Sequence, residues 1–130
     1  MGVTVICAGV AVSVWNLGGI LSNHAARVDD WTVRECIVQI EGDCKSACTM
    51  YTSVPNACIR PEAQLWFHRP TPVPGSGLTE HAVSMGALFW SRYLPPGMAE
   101  WWLGGPSESR EWTVVTGAEV IRVGWMNECL

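Results

Sequence analysis

Ser46 lies in the run Gly42-Asp43-Cys44-Lys45-Ser46-Ala47-Cys48-Thr49, His68 lies in Leu65-Trp66-Phe67-His68-Arg69-Pro70, and Asn16-Leu17-Gly18-Gly19 precedes both. A serine, a histidine and a glycine-rich turn are the parts of a hydrolytic site. A serine hydroxyl is a poor nucleophile at neutral pH, so it needs a base within hydrogen-bond reach and backbone N–H groups to hold an oxyanion. Each part also has an ordinary structural use: Ser46 as a helix N-cap, His68 as a strand-end histidine, Gly18-Gly19 as a tight turn. Lys45 beside Ser46 invites a Ser-Lys dyad, but neighbouring residues in a helix point about 100° apart. Cys44 and Cys48 flank the serine, either as redox-active thiols or as a disulfide that pins its turn.

The elements that would position these residues are legible in outline. Val3 to Cys7 reads as a strand, and Val10 to Trp15 as a buried strand feeding the Gly-Gly turn. Ile20, Leu21, Ala25, Val28 and Trp31 recur at helical spacing, which leaves His24, like His81, as a surface residue. Cys36 to Ile40 is a short strand, Glu41-Gly42-Asp43 a turn, and Ser46 to Thr52 a helix whose first turn carries Ser46 and Ala47. Cys58-Ile59 and Gln64 to Phe67 read as strands, with His68 at the end of the second. Pro70, Pro72 and Pro74 with Gly75-Ser76-Gly77 make an irregular loop. Thr79 caps a helix running to about Tyr93, with Ala82, Met85, Phe89 and Trp90 on its apolar side, and Met98 to Leu103 forms a second. Trp112 to Val115 is a strand, after which Thr116 caps a helix that stops at Gly124. Met1 to Val14 is apolar, but it has no basic residue before its apolar run and is too short to span a bilayer. It is a buried strand or the remnant of an export signal.

Composition narrows the function classes. The 130 residues fit one domain, residues 1–130, with 48% hydrophobic and 15% charged residues, which excludes disorder and leaves self-association open. The net charge of −4 and the dispersed Lys and Arg residues argue against nucleic acid as a partner. Eight Trp against two Phe point to packing, with a homo-oligomer interface as a further use. Six cysteines favour disulfides and an oxidising compartment over a zinc site, because Cys44 and Cys48 lack a second properly spaced Cys or His pair. Sequence alone does not choose among the pairings; the pairs expected are Cys48 with Cys58 and Cys44 with Cys129. No metal or other cofactor is expected.

In this order and spacing the segments resemble the proteolytic subunit of Clp protease, within the crotonase-like superfamily. Asn16-Leu17-Gly18-Gly19 is similar to that family's Asn-Ser-Pro-Gly-Gly turn, Cys44-Lys45-Ser46-Ala47 to its Ala-Ala-Ser-Met, and Phe67-His68-Arg69-Pro70 to its Ile-His-Gln-Pro. Thr116-Gly117-Ala118-Glu119-Val120 through Gly124 resembles its closing helix and glycine, so the similarity covers about residues 10 to 126. A nearer resemblance is to small cysteine-containing exported bacterial proteins of unknown function with Cys-x-Ser-Ala-Cys-Thr followed by Phe-His.

The resemblance implies an α/β fold of repeated β-β-α layers in a single compact domain. It implies a serine hydrolase, a peptidase by preference, acting on a peptide or small acyl substrate. Ser46 would be the nucleophile, His68 the general base, and the N–H groups of Gly19 and Ala47 the oxyanion hole. It also implies a periplasmic or secreted protein without a membrane span, and a phage-associated origin would fit the missing signal. The family's aspartate has no counterpart: Asp29, Asp30 and Asp43 all precede His68, and the position in register is Trp112. Glu111, or Glu108, is then the candidate acid that holds the imidazole, a role whose loss typically costs about 10⁴ in turnover. The alternative is a catalytically degenerate scaffold that serves as a binding or assembly module. A carboxylate on His68 would favour the enzyme, and Trp112 filling that place the module.

Overall fold

A computed structural model describes residues 2–14, 16–71 and 80–130, with the backbone alone for Glu80. The expected cap at Thr79, the strand end at Trp15 and most of the proline loop lie outside the described residues. Two mixed sheets organise the chain. The first has five strands in the order β2-β1-β3-β5-β8: β1 (Val3–Cys7), β2 (Val10–Val14), β3 (Ile37–Ile40), β5 (Ala57–Ile59) and β8 (Asn127–Glu128). The second has three, β4 (Asp43–Lys45), β6 (Gln64–Phe67) and β7 (Thr113–Thr116), in the order β4-β6-β7. The helices are α1 (Leu21–Val33), α2 (Glu80–Ser91), α3 (Pro96–Leu103) and α4 (Gly117–Arg122), with 3-10 helices at Ser46–Ser53 and Pro106–Glu108. These share one hydrophobic core, so the protein is a mixed α/β single domain.

Residues 3–14 form a hairpin closed by Ala8-Gly9, both with positive φ, the geometry of a two-residue turn that matches strand twist. Val3 and Val5 are buried, but β2 is an edge strand with Val10 and Val12 more than half exposed, not the buried strand expected. Its apolar run misleads because hydropathy does not tell an edge strand, paired on one side alone, from a central one.

Part of the tryptophan surplus is core packing. Trp90 of α2 and Trp102 of α3 are buried with ring centroids 4.4 Å apart, and Phe67 at the end of β6 meets Trp101 at 5.0 Å and Trp102 at 5.6 Å. Both buried indoles find acceptors, Trp90 Nε1 on Thr49 Oγ1 and Trp102 Nε1 on the Ala87 carbonyl. The buried face of α2 is Val83, Ala87 and Trp90, whereas Met85, expected inside, is exposed beside Leu88. At the far end the sequence reading holds: Thr116 Oγ1 accepts the Glu119 N–H and α4 stops before Gly124.

All six cysteines are paired, Cys7–Cys36, Cys44–Cys48 and Cys58–Cys129. The expected partners are therefore corrected. Cys44 and Cys48 bridge the short step from β4 into the 3-10 helix with Cα atoms 5.3 Å apart. The parallel pairing of β5 with β8 brings Cys58 within 4.9 Å (Cα–Cα) of Cys129, and Cys7 reaches Cys36 where β1 pairs β3. Three disulfides fit an oxidising compartment, and no helix among the described residues is long and apolar enough to cross a membrane. Mass spectrometry of a non-reduced digest is expected to find these three linkages, and a Cys48–Cys58 linked peptide would refute them. Removing Cys58–Cys129 by paired alanine substitution is expected to cost about 4 kcal/mol in a urea titration, because that bridge closes the longest loop.

Candidate active site

The site is built at the carboxyl edge of the three-stranded sheet. β4 and β6 run parallel with Lys45 opposite Trp66, so the residues that follow them, Ser46 and Phe67-His68, emerge on one side. Such strand ends are where ligands bind in open α/β sheets. Ser46 opens the 3-10 helix with φ +57°, a left-handed backbone that costs a non-glycine residue about 1–2 kcal/mol.

Several contacts hold that conformation. The Cys44–Cys48 bridge spans Ser46. The Thr49 hydroxyl donates to the Ser46 carbonyl at 2.8 Å and itself accepts from Trp90 Nε1 at 3.0 Å. Asn16 ties the glycine turn to the same place: its amide donates to the Asp43 carbonyl at 2.8 Å, and its carbonyl accepts the Lys45 N–H at 2.9 Å. Gly18 consequently lies so close that a Cβ there would sit 2.8 Å from Ser46 Cβ and 3.0 Å from Oγ.

Ser46, His68, Gly18 and Gly19 line one cleft of about 1080 Å³, whose walls include Leu17, Leu21, Met85, Phe89, Trp90 and Trp112. Among the described residues Ser46 Oγ has no hydrogen-bond partner, His68 included. Catalytic hydrogen bonds commonly tighten only around substrate. Ala47 is buried behind Ser46 in the first turn of the 3-10 helix, where backbone N–H groups lack partners within the helix. Lys45 is turned away from the dyad reading, with Nζ 4.6 Å from the Trp66 ring centroid.

His68 Nδ1 lies 2.6 Å from the Arg69 carbonyl oxygen. The antiparallel pairing of Phe67 with Thr113 brings Trp112 alongside, its ring perpendicular to the imidazole at 4.5 Å between centroids. Glu111 and Glu108 are exposed, and no carboxylate among the described residues bonds His68. Ser46, His68 and Gly19 thus line one cleft, Ala47 is buried next to Ser46, and both glutamates lie outside the cleft lining.

His24 is a correction to the sequence reading. It is 3% exposed, stacks on Tyr51 and lies against Gly19, where a Cβ would meet its Cε1 at 3.0 Å. Its position one turn before Val28 and two before Trp31 puts it on the apolar stripe of α1, a signal the sequence carried. Nδ1 lies 3.2 Å from the Ile20 carbonyl, and Nε2 is buried without a partner among the described residues, which fits a neutral ring with its proton on Nδ1. Burial is the main cause that lowers the His24 pKa below its ordinary 6.5; the Ile20 carbonyl opposes it, the Arg27 charge adds to it, and the Leu17 carbonyl opposes it more weakly. Compared with models of known protein families and with curated protein sequences, the chain matches none.

Two outcomes follow from this geometry. Ser46→Gly is expected to raise stability by up to about 1 kcal/mol in chemical denaturation, since glycine accepts φ > 0, whereas Ser46→Ala gives no such gain. For His24 the unfolded chain binds the proton more tightly than the folded protein. Stability is therefore held above about pH 6.5 and declines as pH falls below it, until the folded-state pKa is passed. His24→Leu is expected to flatten that part of a plot of urea midpoint against pH.

Proposed function

We propose that the protein is a serine hydrolase acting on a peptide or small acyl substrate, with Ser46 as nucleophile and His68 as general base. The observation that carries this reading is the left-handed backbone of Ser46 at the mouth of a cleft it shares with His68 and the Gly18-Gly19 turn. Strained backbone of this kind collects at functional sites. The order of elements supports the Clp-protease-like, crotonase-like layering: two strands then α1, two strands then a 3-10 helix, two strands then α2. Three disulfides support an exported protein, periplasmic or secreted.

In the proposed reaction His68 takes the Ser46 Oγ proton as Oγ bonds the substrate carbonyl carbon, whose π electrons move onto the oxygen. The N–H groups of Gly19 and Ala47 hold that oxyanion. Collapse breaks the bond to the leaving group, which receives the proton from His68. Water then repeats the sequence and frees Ser46. The largely apolar walls of the cleft favour an acyl group with an apolar side chain.

A second reading has its own observation. Trp112 stands against the His68 ring, at the position that sequence register gave to the family's aspartate. This favours a scaffold that has lost the acid and serves as a binding or assembly module.

A fluorophosphonate serine-hydrolase probe on purified, non-reduced protein separates the two. The hydrolase is expected to label stoichiometrically, with Ser46→Ala and His68→Ala both unlabelled. Gly18→Ala, which crowds Ser46, is expected to slow labelling by about 100-fold. Folded protein that takes no label belongs to the module.

A further inference from the structure

We infer that the backbone carbonyl of Arg69 positions the catalytic histidine in place of a carboxylate, so that the site works as a Ser46–His68 dyad with no side-chain acid among the described residues. The inference rests on the hydrolase reading and specifies how its base is held. A general base needs one ring nitrogen protonated and fixed so that the other is free to accept the nucleophile's proton. The Arg69 oxygen, 2.6 Å from Nδ1, accepts only a proton, so Nδ1 carries the hydrogen and Nε2 is the base.

The acceptor is itself fixed. The Arg69 N–H donates to the Ser109 carbonyl at 2.7 Å, in the segment that leads into β7. Pro70 follows, and its ring restricts Arg69 to extended backbone. Pro70 is buried on α2, where a Cβ on Gly86 would meet its Cβ at 3.5 Å. Trp112 packs edge-on against the imidazole, with ring centroids 4.5 Å apart. The orienting group is thus part of the main chain and has no signature residue in the sequence.

The test is the tautomer of His68, read by long-range ¹H–¹⁵N NMR at pH 8 on ¹⁵N-histidine-labelled protein, with His68→Gln to assign the signals. Labelling rates with the fluorophosphonate probe are measured alongside for Glu111→Gln and Glu108→Gln. The expected result is a proton on Nδ1, a bare Nε2, and both variants within about threefold of the wild-type rate, since neither glutamate takes part. A proton on Nε2, or a loss of labelling near the roughly 10⁴ that removing a triad acid costs, overturns the carbonyl's role while leaving the hydrolase intact. Wild-type protein that takes no label overturns the hydrolase reading and the dyad with it, whatever the tautomer.

Discussion

The parallel pairing of β4 with β6 is the constraint on which the site depends. Two short strands in register, Asp43 opposite Gln64 through Lys45 opposite Trp66, bring residues distant in sequence to a common edge. A parallel pair needs a long crossover, and the chain supplies it with the 3-10 helix, β5 and the turn before β6. β7 then pairs antiparallel on the far side of β6, which fixes what flanks His68: Trp112 just before the strand and the Ser109 carbonyl under Arg69. A one-residue slip would send Phe67 out of the tryptophan cluster and His68 into it, so the aromatic core enforces the register of the site.

Around this frame, stability is concentrated where the backbone is least comfortable. Ser46 in the left-handed region persists because the Cys44–Cys48 bridge, the Thr49 hydroxyl and the Asn16 clamp all act within a few residues of it. Thr49 links this local strain to the core, since the indole that bonds it belongs to Trp90, packed against Trp102 and near Phe67. Loosening the α2–α3 cluster would therefore reach Ser46 through Thr49 as well as through the cleft wall, to which Trp90 also belongs. Such a chain of fully satisfied polar groups adds specificity to a core that apolar contacts alone would leave adjustable.

What the sequence disclosed follows from the same physics. Periodicity found α1, β6 and α4 because each has one clear apolar face or a side-chain cap, as with Thr116 over Glu119. It misjudged β2, where alternating small and large apolar residues read as buried but lie on a sheet edge. It also misjudged His24, because residue type outweighed position on the α1 stripe. The disulfide partners were not legible, since pairing depends on β5 lying beside β8 and β1 beside β3. Ser46, His68 and the glycines could be singled out by type and spacing. The Arg69 carbonyl could not, for every residue has one and only the fold decides which meets an imidazole.

A carbonyl and a carboxylate hold a histidine in the same tautomer, but they differ in what they do for its charge. A carboxylate neutralises the imidazolium that forms when the serine proton arrives, and in a protein interior it must itself be hydrogen-bonded to be tolerated. A carbonyl carries only a partial charge, so it orients the ring without compensating it, and it needs no buried partners of its own. That difference suits a site in which Trp112 already packs against the histidine ring. The arrangement exchanges transition-state stabilisation for apolar packing. On the proposed reading, substrate binding and an oxyanion hole would survive that exchange, and these alone sustain roughly 10³–10⁴-fold catalysis over water in triads stripped of a member. Such a site would, on that reading, be a slow hydrolase, its turnover limited by the uncompensated imidazolium.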